Sequence, residues 1–108
     1  MDISEEQYKI IFTNDAIKDM DNIFNYISEK LYAPNSARNL MKKVNDTIDN
    51  LKYMPKAYSV IKKFPELEME HRRIVVKDYV IIYTVDEDTK SVYIINMYYG
   101  GSNYLIKI

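Results

Sequence analysis

The chain has 108 residues, of which 47% are hydrophobic, so it can pack one domain and is too short for two. It contains no cysteine and a single histidine, which excludes disulfides and thiolate metal sites and predicts no metal and no cofactor. The net charge is −1, whereas proteins that bind bare nucleic acid through its phosphates usually carry a large basic excess. A dedicated nucleic-acid surface is therefore not favoured.

The distribution of charge and apolar residues predicts where the protein resides. Residues 1–32 carry seven acids against three lysines, and the rest of the chain carries twelve bases against nine acids. The start, MDISEEQ, is acidic and lacks the apolar core of a signal peptide. No apolar run approaches the roughly 18 residues that a membrane-spanning helix needs. We therefore expect one cytoplasmic domain over residues 1–108 that contacts no membrane.

The first half of the chain predicts a strand followed by two amphipathic helices. Residues 8–13 (YKIIFT) are few, aromatic and β-branched, as is typical of a strand. Thr13 offers an N-cap oxygen, and apolar residues then recur at three- and four-residue steps as far as Tyr32. Pro34 suits the first turn of a second helix, whose apolar stripe ends before Pro55. The short connection between them predicts an antiparallel helical hairpin.

The second half has the period-two pattern of strands. The predicted strands are residues 57–63, as a short edge strand, and residues 72–76, 79–85 and 92–99. Lys77 and Asp78 form a tight turn, in which Asp78 is the residue that tolerates positive φ. The sequence thus predicts a strand, two helices and a meander of three or four antiparallel strands.

These elements predict an α+β fold of the order β-α-α-β-β-β(-β), an antiparallel sheet with a helical hairpin packed on one face. Both helical stripes need burial, and only a sheet face is wide enough to provide it. The other face of the sheet is apolar and rich in tyrosine, of which the chain has eleven. Exposed apolar area on a small monomer usually marks a partner site, so we expect a protein–protein surface there.

Four phrases carry a resemblance to a known family: YKIIFTNDAIKDMDNIFNYI at the start, LKYMP after the second helix, RRIVVKDYVIIYTVDE in the hairpin and VYIINMYYGGSNYL at the end. In this order they resemble the RelE/ParE superfamily of type II toxin–antitoxin toxins, also known as plasmid stabilisation system proteins. The family pattern L-x-x-x-P falls on Leu51 and Pro55, its arginine on Arg72, and its Y-x-x-x-Y on Tyr79 and Tyr83.

The resemblance implies a bacterial toxin that inhibits growth and is bound by a cognate antitoxin protein. A homodimer and a heterotetramer with the antitoxin are the candidate assemblies. The target implied is DNA gyrase for ParE-like members. For RelE-like members it is mRNA on the ribosome, which these endoribonucleases cut.

The catalytic candidates come from the RelE-like interpretation. Cleavage of RNA without metal needs a base for the 2′-OH, a cation for the phosphate and an acid for the leaving oxygen. The resemblance places these roles on His71, Arg73 and Tyr104, and His71 and Arg73 share a strand face because they are two residues apart. Two further arginines of the family pattern fall on Val80 and Ser102, and the acidic sequence pI of about 5.8 also disfavours a ribosome-directed nuclease.

A gyrase inhibitor acts by binding and tolerates those losses, so the sequence favours ParE-like inhibition. RelE-like cleavage and a toxin fold with reduced toxicity are the alternatives. The candidate target-binding residues are Arg72, Arg73, Tyr98, Tyr99 and Tyr104. In the alternative interpretation of these residues, the arginines pair with nearby glutamates and the tyrosines serve packing or antitoxin contacts.

Overall fold

The computed structural model describes residues 7–107, which form a sheet covered on one face by helices. The strands are β1 (Lys9–Phe12), β2 (Val60–Phe64), β3 (Met69–Val76), β4 (Tyr79–Asp86) and β5 (Ser91–Tyr99). The helices are α1 (Asn14–Asn25), which widens into a π-helical turn (Tyr26–Lys30), α2 (Pro34–Asp49) and the short α3 (Tyr104–Lys107). Over this range, no helix has the length and apolarity that crossing a membrane would require.

The five strands lie in the order β1-β5-β4-β3-β2. Strands β2 to β5 form the predicted antiparallel meander, and β2 is the edge strand expected near residues 57–63. Strand β1 pairs with β5 in parallel, with Lys9 opposite Ser91 and Phe12 opposite Ile94. The sheet is therefore mixed. The two helices carry the chain from β1 to the opposite edge of the sheet, where β2 lies, and the meander then runs back until β5 lies beside β1.

The two helices pack on one face of the sheet, as the apolar stripes predict. The Thr13 hydroxyl accepts the Ala16 N–H at 3.1 Å and caps α1, while Pro34 occupies the first turn of α2. The fully buried residues of this core come from both helices, the turn after α2 and the inner face of the strands. They include Ala16, Ala37, Val44, Ile48, Leu51, Ile74, Ile81, Tyr83, Val92 and Ile94. The predicted α+β fold with a helical hairpin on one face is confirmed.

Four of the five residues of the family pattern, all except Tyr79, form one structural cluster between α2 and the sheet. The buried Tyr83 hydroxyl donates to the Pro55 carbonyl oxygen at 2.6 Å, and Leu51 and Pro55 are themselves buried. Burial raises the pKa of Tyr83 to about 12, so the phenol stays protonated and keeps donating at any physiological pH. The Arg72 guanidinium donates to the Tyr58 carbonyl oxygen at 2.7 Å. This cluster fixes the segment that leads from α2 to β2.

We expect Tyr83→Phe to lower the free energy of unfolding by about 1–2 kcal/mol, because it leaves the Pro55 carbonyl oxygen without its hydroxyl donor. The matched control is Tyr53→Phe, since Tyr53 is 60% exposed and its hydroxyl stays in water. That control should change stability by less than about 0.5 kcal/mol. Urea denaturation at pH 7 measures both, and equal midpoints for the two variants would contradict the role given to Tyr83.

The turn between β3 and β4 differs from the prediction in one detail. Positive φ falls on Lys77, at 53°, rather than on Asp78. The Asp78 carbonyl oxygen instead accepts the Gly100 N–H at 2.7 Å, which extends the ladder between β4 and β5. The prediction of a tight two-residue turn is correct, and the assignment of positive φ to Asp78 is wrong.

A surface ion cluster ties the start of β1 to the turn between β4 and β5. The Glu87 carboxylate accepts from Lys56 at 2.6 Å, from the Tyr8 hydroxyl at 2.7 Å and from Lys90 at 3.3 Å. Hydrogen bonds from Lys56 and Tyr8 lower the pKa of Glu87 to about 2. The side chain is 42% exposed, so solvent screens these interactions and their contribution to stability is small.

The lowered pKa of Glu87 predicts a specific pH dependence. The carboxylate stabilises the fold above the usual glutamate pKa of 4.5, and that contribution is lost as the pH falls from about 4.5 towards 2. We expect Glu87→Gln to lower the free energy of unfolding at pH 7 by less than about 1 kcal/mol and to flatten its pH dependence in this range. Denaturation at pH 7, 4.5 and 2.5 measures this, and an unchanged slope in the variant would contradict it.

Candidate functional site

The face of the sheet opposite the helices carries a second apolar cluster, which we call the open-face cluster. Its buried members are Val80, Ile82 and Tyr104, and the partly buried Ile61, Ile95 and Tyr98 pack against them. Tyr104 comes from α3, so the C-terminal segment crosses back over the sheet. The sequence predicts exposed apolar area on this face, and that is wrong for its centre, where the Tyr104 ring packs with Val80 and Ile82.

Arg73 and Tyr104 meet at the border of the open-face cluster. The Arg73 guanidinium donates to the Tyr104 hydroxyl at 2.6 Å, and the Tyr104 ring stacks on Tyr98 with centroids 6.2 Å apart and planes 18° apart. Tyr104 is 7% exposed, whereas Arg73 is an exposed residue of β3. The arrangement therefore presents a cation at the surface, held in place by a buried phenol.

A shallow hollow of about 290 Å³ adjoins this pair, between the tip of the β3–β4 hairpin and the turn after β5. Its charged lining residues are Arg73, Lys77 and Asp78, and its aromatic ones include Tyr99 and Tyr104. Gly101 lets the Tyr99 ring lie across the turn, because a Cβ there would come within 2.5 Å of that ring. Two cations beside three phenol rings, those of Tyr79, Tyr99 and Tyr104, suit a partner that offers carboxylate or carbonyl oxygens.

Lys77 is a site residue that the sequence interpretation does not include. It lines the hollow together with Arg73. The sequence carries a signal for it, because position 77 directly follows β3 and continues the alternation of positions 73 and 75. Because the sequence pattern assigns Lys77 to a turn, it does not group this side chain with the strand face that carries Arg73.

His71 lies on the same strand face as Arg73 and is engaged elsewhere. Its ring packs edge-on against Phe64 with centroids 4.7 Å apart, and it does not line the hollow. Burial, with a smaller effect from Lys62, lowers the pKa of His71, so the ring is neutral at pH 7. Its Nδ1 atom is buried and has no hydrogen-bond partner among residues 7–107. The structure thus joins Arg73 to Tyr104 and leaves His71 apart from them.

Arg72 differs in position from the other candidate contact residues, whereas Tyr99 lies with them. Arg72 points to the helix-covered side of the sheet, where it also pairs with Glu70 at 3.0 Å, and its side chain is 12% exposed. Tyr99 is 57% exposed, lies edge-on to Tyr79 with centroids 6.0 Å apart and lines the hollow. Four of the five candidate contact residues therefore share one region, and Arg72 belongs to the structural cluster around Tyr83.

The two positions at which the family pattern has arginine serve packing and turn formation here. Val80 is 3% exposed within the open-face cluster. The Ser102 hydroxyl donates to the Tyr99 carbonyl oxygen at 2.6 Å, and the Ser102 N–H donates to the same oxygen at 3.0 Å. Neither position offers a charge for phosphate chemistry.

Comparisons with solved structures give the same fold. A chromosomal ParDE TA system from P. aeruginosa gives a TM-score of 0.68 at 14% identity, over 87% of this chain and 97% of that chain. An archaeal RelE–RelB complex from Pyrococcus horikoshii OT3 gives 0.59 at 19% identity, over 88% and 97%. A YoeB/ParE toxin from Agrobacterium tumefaciens gives 0.55 at 19% identity, over 84% and 96%.

Comparison with sequence families identifies the chain more directly. A comparison with curated protein sequences gives no match. The model of the ParE toxin of the type II toxin–antitoxin system parDE matches residues 10–104, which run from β1 to Tyr104. This match confirms the predicted membership of the RelE/ParE superfamily. The chain belongs to the ParE toxin family of type II toxin–antitoxin systems.

Proposed function

We propose that this toxin inhibits DNA gyrase by contact and is neutralised by a cognate antitoxin. The choice of gyrase rests on the structural roles of Val80 and Ser102. RNA cleavage needs cations on the transferring phosphate, and these two positions, which hold arginine in the RelE-like pattern, serve the open-face cluster and a turn. An inhibitor that acts by binding needs no such set.

The proposed gyrase-contacting surface is the hollow with its rim, made of Arg73, Lys77, Tyr98, Tyr99 and Tyr104. Arginine and tyrosine are the residue types that most often dominate binding energy, because they combine large contact area with directional hydrogen bonds. Tyr98 and Tyr104 hold the surface in shape, while Arg73 and Tyr99 are exposed to a partner. Arg72 is not part of this surface, since it faces the helix-covered side.

An antitoxin partner is supported by two observations. Of the similar solved structures, one is described as a ParDE TA system and another as a complex of RelE with RelB. The chain also exposes adjacent apolar pairs at both ends of α2: Leu31 (54%) with Tyr32 (88%), and Tyr53 (60%) with Met54 (64%). Such side chains on a small protein favour a protein partner.

We expect co-expression with the product of the neighbouring reading frame to give a soluble complex, and the isolated toxin to self-associate, because a partner would cover the exposed apolar pairs. Size-exclusion chromatography with light scattering measures both states. A monodisperse monomer that binds no product of an adjacent gene would contradict the antitoxin proposal. The same measurement distinguishes a homodimer from a heterotetramer.

Ribosome-dependent mRNA cleavage is the second candidate, favoured by the bond between Arg73 and the Tyr104 hydroxyl on the face that also carries His71. Induced expression without antitoxin separates the two candidates. Gyrase inhibition should raise the DNA-damage response and leave transcripts intact. Cleaved transcripts without a damage response would overturn the gyrase proposal, and normal growth would indicate a toxin fold with reduced toxicity.

A further inference from the structure

Strand β5 is longer than its parallel neighbour and needs another partner for its outer edge. Pairing with β1 ends at Ile94, opposite Phe12, while β5 continues to Tyr99. Helix α1 covers the edge beyond that point. The Asp19 carboxylate there accepts the Met97 N–H at 3.0 Å and the Asn96 side-chain amide at 2.9 Å. The half-buried Asp19 side chain thus accepts hydrogen bonds from β5 at the point where the pairing of β5 with β1 stops.

The segment that Asp19 holds is a β-bulge. Across β4, Ile82 pairs with Asn96 and Tyr83 pairs with Ile94, so Ile95 is an extra residue without a partner. The Thr13 hydroxyl lies within hydrogen-bond distance of two successive carbonyl oxygens at the bulge, at 2.9 Å from that of Ile94 and 3.1 Å from that of Ile95. Thr13, which caps α1, therefore contacts the carbonyl oxygens of the bulge, and Asp19 within α1 accepts the N–H that follows it.

The extra residue sets which face each later side chain occupies. With it, both Ile94 and Met97 lie in the core under the helices, and Tyr98 lies on the open face. Strict alternation from Ile94 would turn Met97 to the open face and Tyr98 towards the helices. The Tyr98 ring would then be unable to stack on Tyr104.

We propose that Asp19 is a positioning residue of the gyrase-contacting surface, because it fixes the bulge that places Tyr98 beneath Tyr104. This inference rests on the proposed function for its effect on gyrase, but not for its effect on the bulge. Burial, followed by the nearby carboxylates of Asp19 and Asp15, raises the pKa of Tyr98, which is consistent with Asp19 lying next to that ring.

The test compares Asp19→Ala with Asp19→Asn, whose amide oxygen can still accept the Met97 N–H. The control is Val44→Ala, which lowers stability from α2 without touching the bulge, since Val44 is fully buried there. Three quantities are measured on the purified full chain: hydrogen exchange at the Met97 amide, the NMR contact between the Tyr98 and Tyr104 rings, and inhibition of gyrase supercoiling.

Asp19→Ala should raise Met97 exchange at least about tenfold, lose the ring contact and weaken inhibition about tenfold. Asp19→Asn should retain most of the Met97 protection, the ring contact and the inhibition. Val44→Ala should keep the ring contact and the inhibition. A protected Met97 amide in Asp19→Ala, unchanged inhibition despite a lost ring contact, or equal loss of inhibition in Val44→Ala would each overturn the inference. If the wild-type chain leaves gyrase unaffected, the proposed function fails, while exchange and ring contact still decide whether Asp19 fixes the bulge.

Discussion

Replacing Tyr104 by alanine is expected to lower the free energy of unfolding by about 3 kcal/mol. The ring is 7% exposed and covers Val80 and Ile82, so its loss opens an apolar cluster to water. It also removes the hydroxyl that holds the Arg73 guanidinium. Urea denaturation measures the loss of stability, and gyrase supercoiling measures the loss of inhibition, which should be tenfold or more.

Two further variants separate the ring of Tyr104 from its hydroxyl. Tyr104→Phe keeps the ring, loses the bond from Arg73 and should cost about 1–2 kcal/mol. Leu105→Ala is the neighbouring control, since Leu105 is 59% exposed and should contribute less than about 0.5 kcal/mol. Ending the chain at Gly101 should cost at least as much as Tyr104→Ala. Equal stability of Tyr104→Ala and Leu105→Ala would show that α3 does not hold the open face.

Arg73→Ala is expected to weaken gyrase inhibition by about 5- to 30-fold, equivalent to about 1–2 kcal/mol of binding. It should also lower the free energy of unfolding by about 1–2 kcal/mol, as Tyr104→Phe does, because both variants lose the same hydrogen bond. The side chain is exposed and donates to the Tyr104 hydroxyl of α3, so its loss leaves the helix-side core unchanged. In a nuclease the same substitution should instead lower cleavage by roughly two orders of magnitude or more. The size of the loss therefore distinguishes contact from catalysis.

Arg72 supplies the matched control for this experiment. Arg72→Ala removes bonds to the Tyr58 carbonyl oxygen and to Glu70, on the helix-covered side of the sheet. It should lower stability while leaving inhibition per folded molecule unchanged. Should Arg72→Ala weaken inhibition as much as Arg73→Ala in folded protein, the assignment of the contact surface to the open face would be wrong.

Local patterns in the sequence predict most of the fold. The apolar stripes of α1 and α2 and the alternation in β3 to β5 arise because each element buries one face. This pattern is visible within each segment without knowledge of its neighbours. The parallel pairing of β1 with β5 joins residues about 80 positions apart. No local pattern in either strand specifies its neighbour, so the mixed character of the sheet could not be predicted.

The candidate site is less predictable because it depends on contacts between distant segments. Alternation along β3 places His71 and Arg73 on one face, but it does not predict that the Phe64 ring packs against His71. The four-residue helix α3 is too short to leave a periodic signal, so its return over Val80 has no signature in the sequence. A bulge also reverses the alternation near Tyr98, which period-two patterns assume to be unbroken.

The most direct test of the proposed function is inhibition of purified gyrase by the purified toxin, with mRNA cleavage on purified ribosomes measured in parallel. We expect the toxin to block supercoiling, and we expect equimolar antitoxin to restore it. Transcripts on the ribosomes should remain intact. Unaffected supercoiling together with ribosome-dependent cleavage that Arg73→Ala abolishes would contradict the account.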